Sequence, residues 1–408
     1  MSGETSSGRA DSTARTRAAI VDAATELFAE RGFGAVSLRE VAAAAGISHP
    51  GLLRHFGSKD LLLRDVVAGL NGLGVDEDTL DEDPPLDVFV EVARRNAETA
   101  GYSELLSGLL GLAASPEHPV HAELGERYAV VRRRFAALFE RRAAELVAGV
   151  DADVEAICFA AAWDGLQLIS RYLPAVDVPG ALATRLELLR GHRPEGRPAA
   201  VAPSTVSTQS PAPETPGYAP GRERRRRTLD AATAMFAHAG YHGTSLRDIA
   251  ERVGTGKSTL VHHFGTKEQL LIAVLQNRDA NTAAVVSGLV GNAADRLREL
   301  PGWVRRDLAL EPGLVGLYAT LSTEAAARSH PAHDYFADRY AQVIGALTDR
   351  FRQAAAEGDL AGWRDPAFEA LWLVSLWDGL QLQWLYDPDA VDVAGLLRLH
   401  LATLLEAR

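Results

Sequence analysis

Phe28 and Phe236 lie 208 positions apart, and so do Phe56 and Phe264. Both pairs belong to one gapless internal repeat. RAAIVDAATELFAERGFGAVSLREVAAAAGISHPGLLRHFGSKDLL begins at Arg17, and RRRTLDAATAMFAHAGYHGTSLRDIAERVGTGKSTLVHHFGTKEQL begins at Arg225. The likeness continues with small shifts: EHPVHAELGERY from Glu117 answers SHPAHDYFADRY from Ser329, and WDGLQL occurs at Trp163 and Trp377. A period near half of the 408 residues means a duplicated domain, since solenoid repeats run to roughly 20–50 residues. Whatever fold one half adopts, the other half must be able to adopt it too.

Between the copies, Gly191 to Gly221 is rich in Pro, Ser, Thr and Ala and has no apolar periodicity. That composition predicts a flexible linker. Its end-to-end distance would be roughly 30 Å and its extended reach about 100 Å, enough for the halves to dock side by side. The expected organisation is a disordered tail over 1–11, a first head over 12–57 and a first core over 58–190. The linker over 191–221 then leads to a second head over 222–265 and a second core over 266–408. The acidic stretch from Val75 to Pro85 reads as a solvated loop inside the first core.

Within the first head, Ile20, Ala23, Ala24, Leu27 and Phe28 fall on one face of a helix, and Gly32 follows where a helix would end. Ser37 and Glu40 have the spacing of a capping box that opens a second helix, and Ser245 with Asp248 repeats it in the second head. Gly46 makes a turn into a third short helix, SHPGLLRHF in one copy and GKSTLVHHF in the other. Ser48 can cap it, and Pro50 is tolerated in a first turn, where amides lack helical partners. A fourth helix starts at Ser58 or Thr266. Helix, glycine turn and short helix form the helix–turn–helix pattern, whose second helix enters the major groove of DNA. Leu38, Val41, Ala42, Leu52 and Phe56 would hold the pair together from inside. Ser48, His49, Gly51, Arg54 and His55 face out in one copy, and Lys257, Ser258, Thr259, His262 and His263 in the other. Hydroxyls, imidazoles and cations of this kind suit phosphates and base edges. The same residues could line the wet face of an ordinary bundle, but the recurrence of the frame speaks against that.

The stretches AATELFAERGFGAVSLREVAAAAGIS through HFGSKDLL, and AATAMFAHAGYHGTSLRDIA through HHFGTKEQLL, resemble the DNA-binding head of the TetR family of bacterial transcriptional regulators. The resemblance implies an all-α fold in each half: a three-helix DNA-binding head, then a helical-bundle core that binds a small molecule and dimerises. It also implies a DNA-facing set. In the first copy these are Ser37, Arg39, Ser48, His49, Pro50, Gly51, Arg54, His55 and Lys59. In the second they are Thr244, Ser245, Arg247, Thr255, Gly256, Lys257, Ser258, Thr259, His262, His263 and Lys267. Ser37, Ser245, Lys59 and Lys267 are implied at phosphates, and the third helix at bases. The family's usual tyrosine after the leucine of the third helix is replaced by Leu53 and Val261. That departure leaves open a protein whose helix–turn–helix units no longer bind DNA and which serves as a ligand-binding or scaffold protein.

Family members pair as dimers on inverted-repeat operators, so one chain with two heads suggests an intramolecular pseudo-dimer. Trp163, Leu166 and Ile169, with Trp377, Leu380 and Trp384, are the expected packing residues across its pseudo-twofold axis. The two third helices differ in their outward residues, which predicts an operator with two unlike half-sites. RERRRR, Arg222 to Arg227, reads as a phosphate-seeking arm. Arg222 to Arg278 holds ten basic and five acidic residues, against seven and six over Ser12 to Leu70. The second head should therefore carry more of the salt dependence.

Other functions find less support. GTGKST, Gly254 to Thr259, imitates a nucleotide phosphate loop, but that loop needs a glycine where Glu251 stands, and a strand before it. Cys158 is the only cysteine, which excludes an intrachain disulfide. His118 with His121, and His330 with His333, lack a third ligand and begin core helices in the resemblance, so no metal is expected. No arrangement of nucleophile, acid and base suggests an enzyme, no cofactor motif occurs, and no apolar run has membrane-spanning length. The polar N-terminus carries no apolar secretion segment, so a cytoplasmic protein is expected. Net charge is −12, so any attraction to DNA must come from the distribution of charge. The small-molecule effector is not legible.

Overall fold

Among the described residues, every element longer than a single β-bridge is helical. The structure, a computed structural model, describes residues 4–31, 33, 36–73, 83–99, 102–193, 219–287, 290–310, 312–328 and 330–405. The first half contributes α1 (Glu4–Arg31), α2 (Leu38–Ala44), α3 (His49–His55), α4 (Lys59–Leu73), α5 (Val88–Glu98), α6 (Tyr102–Leu112), α7 (His121–Arg141), α8 (Ala152–Tyr172) and α9 (Val178–Leu189). The second contributes α10 (Ala219–Gly243), α11 (Leu246–Val253), α12 (Lys257–Phe264), α13 (Lys267–Ser287), α14 (Ala293–Leu310), α15 (Pro312–Glu324), α16 (His333–Ala356), α17 (Pro366–Tyr386) and α18 (Val393–Leu404). Each helix of the second half thus answers one of the first, which is the duplication in three dimensions.

Local chemistry sets the helix ends. The Ser37 hydroxyl accepts from the Glu40 amide, while the Glu40 carboxylate accepts from the Ser37 amide and hydroxyl. Hydrogen bonding from Ser37, helped by Arg31, holds the Glu40 carboxyl down at about 2. Ser245 and Asp248 close the same box at the start of α11. The Ser48 hydroxyl caps α3 by accepting from the Gly51 amide at 3.2 Å, with Pro50 in the first turn. Gly254 ends α11 at φ +71°, in the left-handed region that favours glycine.

Three expected boundaries change. Helix α1 begins at Glu4, so most of the expected disordered tail over 1–11 is helical. A formed helix extends at the entropy of one residue per added hydrogen bond, which lets α1 run back past the apolar stretch. Helix α10 takes in the last three residues of the expected linker, while 194–218 lie outside the described residues, as do Gly32 and most of the acidic stretch. The chain also divides unevenly. One compact unit is Met1–Ala156 with Val178–His192, and the other is Ile157–Asp177 with Arg193–Arg408. Most of α8 therefore leaves the expected first core, 58–190, and packs within the second unit.

In the first unit, the Phe89 ring packs at a tilt against Phe135 and Phe139, and Glu155 at the start of α8 is held by Arg185 of α9 in a buried ion pair at 2.6 Å. In the second unit Tyr172 of α8 lies against Phe336 and Tyr340 of α16, and Phe159 lies against Trp372 of α17. No helix among the described residues is long and apolar enough to cross a membrane.

Candidate nucleic-acid interface

The two heads are built alike. Val41, Ala42, Leu52 and Phe56 are buried between α1, α2 and α3, and Ile249, Ala250, Leu260 and Phe264 between α10, α11 and α12. Leu38 is half-buried. An arginine of the first helix braces each third helix: Arg17 lies 4.2 Å over the Phe56 ring, and Arg225 lies 4.8 Å over the Phe264 ring. Arg17 also donates to the His55 carbonyl and to Asp65. The sequence alone gives neither arginine this bracing role, although the 208-residue offset relates both them and their phenylalanines.

With the inner faces so engaged, α3 and α12 turn their polar faces out. Ser48, Pro50 and Arg54 are exposed, and His49 and His55 half-exposed. Lys257, Ser258, His262 and His263 are exposed and Thr259 half-exposed, with the two histidine rings 5.5 Å apart. Ser37, Arg39, Ser245, Arg247 and Gly256 are exposed, and Thr255 half-exposed, beside them. Thus most of the expected set is exposed or half-exposed on the second and third helices of each head.

Four expected positions differ. Gly51 is buried, its amide bonded to the Ser48 hydroxyl, because the third residue of α3 faces the head's interior. Thr244 is buried, its hydroxyl donating to the Met235 carbonyl at 3.2 Å, inside α10. Lys59 donates its ammonium to the Phe33 carbonyl and sits 4.1 Å over the Phe33 ring. Lys267 sits 4.1 Å over the Tyr241 ring. Both lysines are drawn inward by a ring face and, at Lys59, a carbonyl, and burial lowers their pKa values. The expected arm at Arg222 to Arg227 is helical as the opening of α10. There Glu223 pairs with Arg226 and Arg227, and Arg225 is committed to Phe264.

The histidine pairs hold turns together. His118 accepts from the Val120 amide and His121 meets the Ala113 carbonyl at 2.8 Å; His330 and His333 repeat both contacts with Ala332 and Ala325. Among the described residues no group of three or more His, Cys, Asp or Glu is placed to hold a metal. GTGKST forms the glycine turn and the first residues of α12.

In the second unit the repeated WDGLQL segments cross. A Cβ on Gly165 would lie 1.9 Å from the Ser375 carbonyl oxygen, and one on Gly379 would lie 1.8 Å from that of Ala161. The two contacts are equivalent under the repeat, since 161 and 165 answer 375 and 379. Leu166, Ile169 and Leu380 are fully buried. Trp377, however, packs 5.6 Å from Trp303, and Trp384 lines an open cleft with Arg305 and Asp392. Trp377 precedes Gly379 by two residues, about 200° round the helix, so it faces away from the crossing. Trp163 is buried against Phe159.

A polar network in the second core was not foreseen. Asp279 of α13 accepts from Tyr318 of α15 at 2.9 Å, from Tyr335 and from Arg339 of α16 at 3.1 Å. Arg278 pairs with Asp307 at 2.6 Å and lies over the Tyr318 ring, and Tyr340 donates to Asp378 at 2.7 Å. Burial pushes the Asp378 carboxyl up. At the 212-residue offset that relates His330 to His118, Tyr318 answers Leu106 and Tyr335 answers Glu123, so the two tyrosines that meet Asp279 occur in one half, whereas Arg339 and Tyr340 answer Arg127 and Tyr128.

Two helix–turn–helix heads, each with an exposed reading helix and each followed by a helical core, define a DNA-binding regulator built twice in one chain. The chain belongs to the TetR family: the family model described as bacterial regulatory proteins, tetR family, matches residues 20–66 and again 229–274. A BetI-type transcriptional repressor C-terminal domain matches residues 317–407. The chain is 30% identical over 191 residues to the transcriptional repressor KstR of Mycolicibacterium smegmatis, a match covering 45% of this chain and 88% of that protein. It is 31% identical over 134 residues to a transcriptional repressor of Mycobacterium tuberculosis, covering 32% of this chain and 65% of the relative. It is 36% identical over 81 residues to the transcriptional activator FasR of Mycolicibacterium smegmatis, covering 20% and 37% respectively. Among solved structures, a transcriptional regulator from Saccharomonospora viridis in complex with choline is similar at 25% identity and a TM-score of 0.40, covering 46% of this chain and all of that one.

Proposed function

We propose that this chain is a transcriptional repressor that reads an operator with two unlike half-sites, released by a small-molecule effector. The observation that carries the reading is the pair of exposed helices α3 and α12, alike in frame and different in outward side chains. His49, Pro50 and Arg54 face one half-site, and Lys257, Ser258 and His262 the other. A lysine can donate to guanine O6 and N7, whereas a proline offers only apolar contact. The repressor-type match at 317–407 supports repression.

The two halves would act as an intramolecular pseudo-dimer about the crossing of α8 and α17. Support comes from the equivalent glycine contacts at Gly165 and Gly379, a geometry that two identical helices adopt across a twofold axis. Selection of bound DNA from a random pool by the full-length chain tests the reading. An asymmetric bipartite site bound by one chain is expected. A perfect palindrome with equal base dependence in both arms would refute the unlike half-sites, and no enrichment at all would refute DNA recognition.

A further inference from the structure

Leu53 and Val261 occupy the fifth position of α3 and α12 and keep 40% and 43% of their surface exposed. The residue before each, Leu52 or Leu260, is 0–1% exposed, so the third helices turn from core to surface at this step. The residue after each, Arg54 or His262, is exposed and basic. In helical register Leu53 follows His49 and Pro50 by one turn, and Val261 follows Lys257 and Ser258 by one turn. Each apolar side chain therefore stands in the middle of the face that carries the other outward residues of its reading helix.

A single exposed leucine needs no explanation. An apolar residue at the same position of both reading helices, between His49 and Arg54 in one and between Lys257 and His262 in the other, is a different matter. Neither leucine nor valine can donate to a phosphate or to a base edge. The apolar group that the major groove presents is the thymine C5-methyl. Resting on the DNA-binding reading above, we propose that Leu53 and Val261 are specificity residues that each seat a thymine methyl, one in each half-site. Pro50, exposed one turn before Leu53, widens the apolar strip in α3, where Ser258 stands at the matching place in α12. The first half-site should accordingly tolerate two neighbouring thymines and the second only one.

The test uses the full-length chain and the operator that it selects from a random pool. Each thymidine of that operator is replaced in turn by deoxyuridine, which removes the methyl and keeps the pairing. Binding is read by fluorescence anisotropy for the natural chain, Leu53→Ala and Val261→Ala. For the natural chain, deoxyuridine should weaken binding about fourfold at one or two positions of the first half-site and at one of the second, the worth of one buried methyl. Leu53→Ala should lose that discrimination in the first half-site alone, and Val261→Ala in the second alone. Both variants should keep the natural chain's melting temperature, since the side chains touch solvent. The proposal is overturned if the natural chain binds every deoxyuridine operator as tightly as the thymidine one, or if each variant still discriminates in its own half-site. Failure to enrich any sequence overturns the DNA-binding reading itself, and the proposal with it.

Discussion

Replacing Gly379 by Ala adds one methyl group to a 43.7 kDa chain, yet the crossing of α8 and α17 leaves no place for it. The new Cβ would lie 1.8 Å from the Ala161 carbonyl oxygen. An ordinary carbon–oxygen contact is about 3.3 Å, so the helices must separate by roughly 1.5 Å. The obstacle is backbone, which cannot swing aside as a side chain does. Separation would loosen Leu166, Ile169 and Leu380, all fully buried, and a gap of even about 1 Å forfeits up to half of each dispersion contact. Overpacking of this kind costs about 3 kcal/mol or more. Gly165→Ala should cost a similar amount, because its Cβ would meet the Ser375 carbonyl oxygen at 1.9 Å. The double variant should lose less than the sum, since one separation relieves both clashes. Gly345→Ala in α16 is the control: its Cβ would meet nothing within 4 Å, so the change should stabilise by up to about 1 kcal/mol through helix propensity. Urea unfolding followed by tryptophan fluorescence measures all four chains. If Gly379→Ala is as stable as Gly345→Ala, the close crossing does not exist in solution.

Three further outcomes are expected. Burial raises the Glu324 carboxyl to about 7, so the folded chain holds a proton that the unfolded chain releases. The stability linked to it is complete below about 4.5 and lost as pH rises through about 7, amounting to about 3 kcal/mol at most; Glu324→Gln should therefore gain on the natural chain between pH 5 and 8, and parallel unfolding curves would contradict this. Asp279→Asn removes the charge that gathers Tyr318, Tyr335 and Arg339 and should destabilise by about 1–2 kcal/mol after screening at this partly exposed site. Amide exchange should quicken along α13 and stay unchanged along α4; equal change in both helices would disprove a local role for Asp279. Lys257→Ala, at an exposed first residue of α12, should weaken binding by about 1–3 kcal/mol if the lysine meets guanine, with unchanged melting temperature and a loss confined to the second half-site in footprinting.

The heads were legible in the sequence to within a few residues. Capping boxes at Ser37 and Ser245, the glycine turn at Gly254 and the apolar spacing of α2 and α11 are local signals, read within one or two turns of chain. For the same reason the outward residues of α3 and α12 could be named in advance, apart from Gly51. Lys59 and Lys267 were misplaced because a lysine's long stem reaches several destinations, and the choice fell to Phe33 and Tyr241, 26 residues before each in the sequence. The glycine in WDGLQL was visible twice, but a glycine inside a helix signals close approach only once the approaching backbone is known.

By itself, then, the sequence determined that one helical domain occurs twice, where the two short helices of each head begin, and which side of each reading helix meets solvent. Tertiary structure decided that most of α8 packs in the second unit, that Gly165 and Gly379 each lie under the other helix's backbone, and that Asp279 gathers two tyrosines and an arginine. The physical reason is common to all three. Apolar periodicity tells which face of a helix must leave water but is non-directional, so it does not say against which of two similarly folded halves that face will be buried. That choice rests on backbone fit and paired charges between residues up to about two hundred positions apart, which only the folded chain brings together.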